Sequence, residues 1–95
     1  MNDLLPHETL IHGKWNIHGN QVSANESCLR IEWLIKHRLK KIALSTDGWE
    51  ALYEDPNDSR KWVLYYPEGE LHNGGPPSLR LATHKEIQSD FKRLK

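Results

Sequence analysis

The sequence predicts an α+β fold, a mainly antiparallel sheet of about five strands with two helices in the order β-α-β-β-β-β-α. Three observations predict it. One long stretch carries an apolar stripe at helical spacing: Cys28, Ile31, Ile35 and Leu39, with Leu34 beside them. A series of short apolar and aromatic segments follows, separated by turn-forming residues. A helix-initiation signature, Thr83 to Glu86, then stands ahead of Ile87, Phe91 and Leu94. Because the strands follow one another through short loops, they are expected to pair as hairpins, with the helices on one face.

The elements follow in order. Leu10 to Ile17 alternates as a strand does, apart from Gly13, and His18-Gly19-Asn20 is a turn signal from which Val22 begins a short return strand. Ser23 to Leu39 reads as the first helix, capped by Asn25 or Ser23, whose oxygens accept backbone N–H bonds. Glu26 near its start and Arg38, Lys40 and Lys41 near its end suit the helix dipole. Ile42 to Leu44, Glu50 to Tyr53, Trp62 to Tyr66 and Ser78 to Ala82 are strand candidates. Asp47-Gly48, Asp55-Pro56-Asn57-Asp58-Ser59 and the ten residues from Glu68 to Pro77 connect them as turns and loops. In the capping box, Thr83 bonds the N3 amide while Glu86 reaches back.

Ninety-five residues suit a single domain spanning 1–95, with one modest core and little room for a deep cleft. Four Trp, three Tyr, one Phe and zero formal net charge argue against disorder. The single Cys28 allows no intrachain disulfide. Met1 to Pro6 lacks the pattern of a signal peptide, and no apolar run approaches the roughly 20 residues of a membrane span. A cytoplasmic protein is therefore expected. Charge is unevenly spread: residues 1–46 balance at +2 and residues 71–95 at +3. Residues 47–70 carry Asp47, Glu50, Glu54, Asp55, Asp58, Glu68 and Glu70 against Arg60 and Lys61, a balance of −5. Such a segment can present an acidic surface to a basic partner.

Catalytic and ligand-binding patterns are weak. The six histidines, His7, His12, His18, His37, His72 and His84, are scattered without zinc-ligand spacing, so no metal is expected. Cys28 lies on the helix stripe and reads as a core residue. Asp55, Asp58 and His72 could be drawn as an acid–base set for a small hydrolase or nuclease, but Asp and Asn in such a loop more often bond their own backbone. Gly74-Gly75 lacks the context of a phosphate cradle, and Pro76-Pro77 removes two backbone donors, so no cofactor is expected. Lys36, Arg38, Lys40 and Lys41 make a basic helix end without a recognised nucleic-acid module. Trp15 and Trp62 read as core residues in strands. Trp33 lies off the main stripe, and Trp49 follows a turn.

Several strings occur together: Arg30-Ile31-Glu32-Trp33-Leu34; Gly48-Trp49; Tyr53, Asp55-Pro56, Asp58, Arg60 and Trp62; and Tyr66-Pro67, Glu70-Leu71-His72, Gly74-Gly75-Pro76-Pro77 and Leu79. Their order and spacing resemble the immunity protein 27 family of bacterial polymorphic toxin systems. The family pattern has Gly where this chain has Ser59 and Asn73. The resemblance implies a cytoplasmic protein that binds a cognate toxin C-terminal domain, often a nuclease, and blocks it. It implies no reaction, no membrane and no direct nucleic-acid contact.

Joined to the residue-level reading, this makes Trp49 to Pro77 the expected working surface. Toxin contacts are expected from Trp49, Glu50, Glu54, Asp58, Glu68, Glu70 and His72. Asp55, Pro56, Arg60, Gly74, Gly75, Pro76 and Pro77 are expected to shape the loops.

Overall fold

The strand expected from Leu10 to Ile17 breaks at Gly13, and the architecture follows from that break. The computed structural model describes residues 3–18, 21–46, 48–67 and 75–93. Strand β1 (Leu10–His12) stays in the main sheet, whereas β2 (Trp15–His18) and β3 (Gln21–Ala24) form a separate hairpin in which His18 pairs with Gln21. The first helix, α1 (Glu26–His37), is followed by β4 (Lys40–Ser45), β5 (Ala51–Glu54), β6 (Lys61–Tyr65) and β7 (Ser78–Leu81). A second helix, α2 (His84–Asp90), leads into β8 (Phe91–Arg93). The main sheet is antiparallel throughout and has six strands in the order β1-β7-β6-β5-β4-β8. The α+β class, the antiparallel pairing and the element order thus hold, with extra strands from the break at Gly13 and from β8.

Gly13 is glycine because nothing larger fits. Its N–H donates to the Pro77 carbonyl at 3.0 Å. A Cβ built there would overlap that carbonyl oxygen and lie 2.8 Å from the Cys28 sulfur. One residue later, the Lys14 carbonyl accepts from Asn25 N–H and from Cys28 Sγ. Asn25 caps α1 by accepting from Cys28 N–H at 2.9 Å, and the same Oδ1 accepts from Lys14 N–H. The helix is therefore shorter than Ser23 to Leu39. Ser23 is taken by β3 opposite Asn16, and at the other end the N–H groups of Arg38 and Leu39 both close on the Leu34 carbonyl.

The sheet has two apolar faces, and one helix covers each. On one, Ile31 and Leu34 of α1 pack with Ile11, Leu39, Ala51, Tyr53, Trp62, Leu64 and Leu79. On the other, Ala43, Leu52 and Val63 meet Ile87 of α2 and Phe91. The expectation of both helices on one face is corrected here. Strand residues alternate faces, so apolar Leu52 and Val63, between Ala51, Tyr53, Trp62 and Leu64, demand a second cover. The second helix also ends earlier than its apolar pattern suggests. Phe91 and Leu94 were expected on the inward helix stripe, but Phe91 leaves the helix extended and pairs with Ser45, while Leu94 lies outside the described residues.

Trp62 is fully buried, whereas Trp15 and Trp33 are only partly buried. The Arg60 guanidinium lies 5.1 Å from the Trp62 ring centre. The indole Nε1 has no hydrogen-bond partner among the described residues, a vacancy that costs about 1–3 kcal/mol.

Gly13→Ala should lose about 1–3 kcal/mol of stability, the ordinary penalty of overpacking. Urea denaturation measures it; an unchanged midpoint would mean that the Pro77 carbonyl can swing aside.

Candidate functional site

Strand register sorts the expected surface residues into two groups. Ala51 pairs with Leu64 and Leu44, Tyr65 with Ser78, Ser78 with His12, and Ser45 with Phe91. The β4–β5 turn with Trp49 and Glu50, the chain leaving β6 at Tyr66 and the return into β7 at Gly75, Pro76 and Pro77 therefore share one end of the sheet. Glu54, Asp55, Pro56, Asp58 and Arg60 stand at the opposite end, beside Lys40. From Glu50 to Glu54 is about 13 Å along the strand. Glu68, Glu70, His72 and Gly74 lie outside the described residues.

The first end carries the exposed aromatic surface. Trp49 is 70% exposed, Tyr66 42% and Leu44 36%. Gly48 takes φ +78 in the turn, the left-handed conformation a glycine accepts without cost, and its N–H bonds the Ser45 carbonyl. Ser45 Oγ accepts from Glu50 N–H at 3.0 Å, which holds both sides of the turn that presents Trp49.

Three carboxylates of the acidic stretch are held in ion pairs. Glu54 lies 3.4 Å from Lys61, Asp58 2.5 Å from Arg60 and Glu50 3.9 Å from Arg80. Arg80 also binds Glu86 at 2.7 Å and stacks over the Tyr65 ring. Summing charge along residues 47–70 could not show this, because Arg80 belongs to the basic flank and returns through β7.

Asp55 is 2% exposed, and its carboxylate accepts from Asn57 N–H at 2.9 Å. Asp55 N–H bonds the Arg60 carbonyl, and Ser59 N–H bonds the Asp55 carbonyl, so the loop closes on itself. Pro56 is exposed at its tip. Ser59 has φ 65 and is the one non-glycine with positive φ among the described residues. A side chain is strained in that region, which glycine enters without penalty. The backbone N–H of Arg60, bonded to Asp58, and then its guanidinium hold the Asp58 carboxyl below the usual range.

Two arginines of the signature converge on the N-terminal segment. Arg60 donates to the carbonyls of Leu5, Pro6 and Glu8. Arg30, on α1, grips both Glu8 carboxylate oxygens at 2.6 and 2.7 Å and reaches the Asp3 carbonyl. Those bonds hold the Glu8 pKa down at about 2. Between them Leu4 enters the core at 9% exposure. The contact between Arg30 and Glu8 was not foreseen from the sequence.

Other chemistry finds little footing. No group of three or more His, Cys, Asp or Glu that could hold a metal exists among the described residues. Ser78, fully buried, bonds the exposed His12 ring at 3.0 Å, which leaves its hydroxyl inaccessible to a substrate. A cleft of about 370 Å³ between α2 and the sheet is lined by Ile42, Leu52, Lys61, Ile87, Gln88 and Phe91, without a carboxylate. No helix of the described residues is long and apolar enough to cross a membrane.

The family model described as Immunity protein 27 matches residues 17–83, more than half of the chain. The chain belongs to the immunity protein 27 family. No curated protein and no solved structure matches it. The matched span runs from β2 to the N-cap of α2, so it contains Arg30, Trp49, Arg60 and the loop residues Asp55 to Pro77. Glu8, β1 and the body of α2 lie outside it. The arginines within the span thus fasten a segment beyond it.

Ser59→Gly should raise stability by about 1–2 kcal/mol by removing the left-handed strain, read as a higher denaturation midpoint. Glu8→Gln should cost about 1.5–3 kcal/mol at neutral pH, the worth of hydrogen bonds to a charged group. Because the folded pKa of about 2 lies below the ordinary 4.5, the contribution is complete above about pH 4.5 and disappears as pH falls through 2. Thermal unfolding between those values should be less acid-sensitive in Glu8→Gln than in the parent. Equal slopes would show that Arg30 does not hold the carboxylate.

Proposed function

We propose that this immunity protein binds and neutralises the C-terminal toxin domain of a polymorphic or contact-dependent inhibition system, in the cytoplasm, without catalysing a reaction. Family membership carries the reading. The surface that suits it is the sheet end bearing Trp49, Glu50 and Tyr66, where an exposed Trp and Tyr provide the residue types that dominate binding energy. The chain enters and leaves this end through the connection containing Glu68, Glu70 and His72, whose acidic composition suits the basic cleft of a nuclease. Glu54 and Asp58, at the far end, take the place of peripheral contacts. The hydrolytic alternative built on Asp55, Asp58 and His72 loses its first carboxylate to the turn, where Asp55 is buried and already bonded.

The test is binding and rescue with the toxin domain encoded beside this protein. The parent should bind it and restore growth to cells expressing it. Trp49→Ala should weaken binding by at least about thirtyfold, the cost of losing a hot-spot residue, with stability within about 0.5 kcal/mol of the parent. Failure of the parent to bind or rescue would overturn the pairing. Undiminished binding by Trp49→Ala would move the contact surface elsewhere.

A further inference from the structure

The ion pairs of the acidic stretch differ in what each cation would keep if its carboxylate left. Asp58 accepts from Arg60 twice, from Nε and from the backbone N–H, and these bonds shape the loop. Glu54 lies against Lys61, whose ammonium also reaches the Ser59 carbonyl but no second carboxylate among the described residues. Glu50 lies 3.9 Å from Arg80, beyond hydrogen-bond reach.

Arg80 is held in two further ways that do not need Glu50. It donates to Glu86 at 2.8 Å, and its guanidinium lies 5.3 Å from the centre of the Tyr65 ring. Glu86 is fixed in turn, because its carboxylate accepts from the N–H and the hydroxyl of Thr83 in the cap of α2. Glu50 and Glu86 thus share one guanidinium, and this group of two carboxylates and one cation carries a surplus negative charge. The pairs Glu54–Lys61 and Asp58–Arg60 are each balanced. Glu50 is also the carboxylate beside the exposed Trp49, and a third of its own side chain is open to solvent.

We propose that Glu50 exchanges Arg80 for a cationic side chain of the toxin domain, an ammonium or guanidinium set beside the pocket that takes the Trp49 indole. The inference rests on the reading that the Trp49 end of the sheet is the toxin-binding surface. The exchange strands no cation: Arg80 stays on Glu86 and Tyr65, and the incoming charge neutralises the surplus. The same exchange at Glu54 or Asp58 would cost Lys61 or Arg60 its carboxylate. The charge on Arg80 opposes the incoming cation, so Glu86 is what makes the exchange favourable. With Glu86 in place, the toxin's cation meets a net negative group.

Calorimetric titration of the full chain with the toxin domain encoded beside it, at low and at physiological salt, tests the exchange. Glu50→Gln keeps the backbone bond to Ser45 Oγ and should fold as the parent does. It should raise the dissociation constant about tenfold, the worth of a hydrogen bond to a charged group, and its affinity should fall less than the parent's with added salt. Glu86→Gln retains the capping pattern but leaves Arg80 with Glu50 as its carboxylate. It should weaken binding severalfold, and adding Arg80→Met should bring affinity back to the parent's or above it. If Glu86→Gln does not fold, Arg80→Met alone gives the reading, because removing the competing cation should leave binding at least as tight as the parent's. Parent-like affinity and salt response in Glu50→Gln, while Trp49→Ala still weakens binding, overturns the exchange and leaves the surface standing. A folded Glu86→Gln that binds like the parent overturns it as well, as does weakened binding by a folded Arg80→Met, which would make Arg80 itself a contact. A parent that does not bind, or undiminished binding by Trp49→Ala, removes the toxin-surface reading and the exchange with it.

Discussion

The structure turns on the space that Gly13 leaves empty. Because no side chain intervenes, the Pro77 carbonyl can approach the backbone there, and Cys28 closes the same gap from the helix. That approach fixes where β1 leaves the sheet, where the β2–β3 hairpin begins and where α1 starts, since Lys14 and Asn25 bond each other immediately beyond it. It also anchors the return of the long connection at Pro76 and Pro77. The end of the sheet where the connection returns is thus tied to β1 through Gly13 and Pro77.

A second constraint acts at the other end. The segment from Asp3 to Glu8 has one apolar side chain in the core, Leu4, and could not hold its position by burial alone. Arg30 and Arg60 supply the rest, binding carbonyls and a carboxylate from two directions. Planar guanidinium groups suit this task because each presents several donors in fixed geometry. Arg60 also lies over Trp62, so the loop from Asp55 to Arg60, the N-terminal segment and the central core residue form one unit.

Much of this was legible in the sequence, for reasons that are local. The stripe of α1, the Asn25 cap, the Thr83–Glu86 box and the turn-formers between strands act over a few residues. What escaped depends on contacts distant along the chain. The placement of α2 on the opposite face requires knowing that Leu52 and Val63 share a side of the sheet. Its end at Asp90 goes with the pairing of Phe91 beside Ser45, which no helical pattern reveals. The acidic stretch looked like an open surface because its partner Arg80 is distant in sequence from Glu50. At the candidate site, Trp49 could be singled out by residue type, while its exposure needed the turn geometry. Glu8 gave no sign of its part in the clasp.

The unequal settings of two tryptophans have an optical consequence. Trp62 is sealed in the core with its ring against a guanidinium, whereas Trp49 stands in water at the sheet end. An indole in a dry environment emits at shorter wavelength than one in solvent. Against the background of the half-buried Trp15 and Trp33, covering Trp49 moves the emission to shorter wavelength and exposing Trp62 moves it to longer. A contact that covers Trp49 without disturbing Trp62 is spectrally distinct from a loss of structure, so association and unfolding can be told apart in the unlabelled protein.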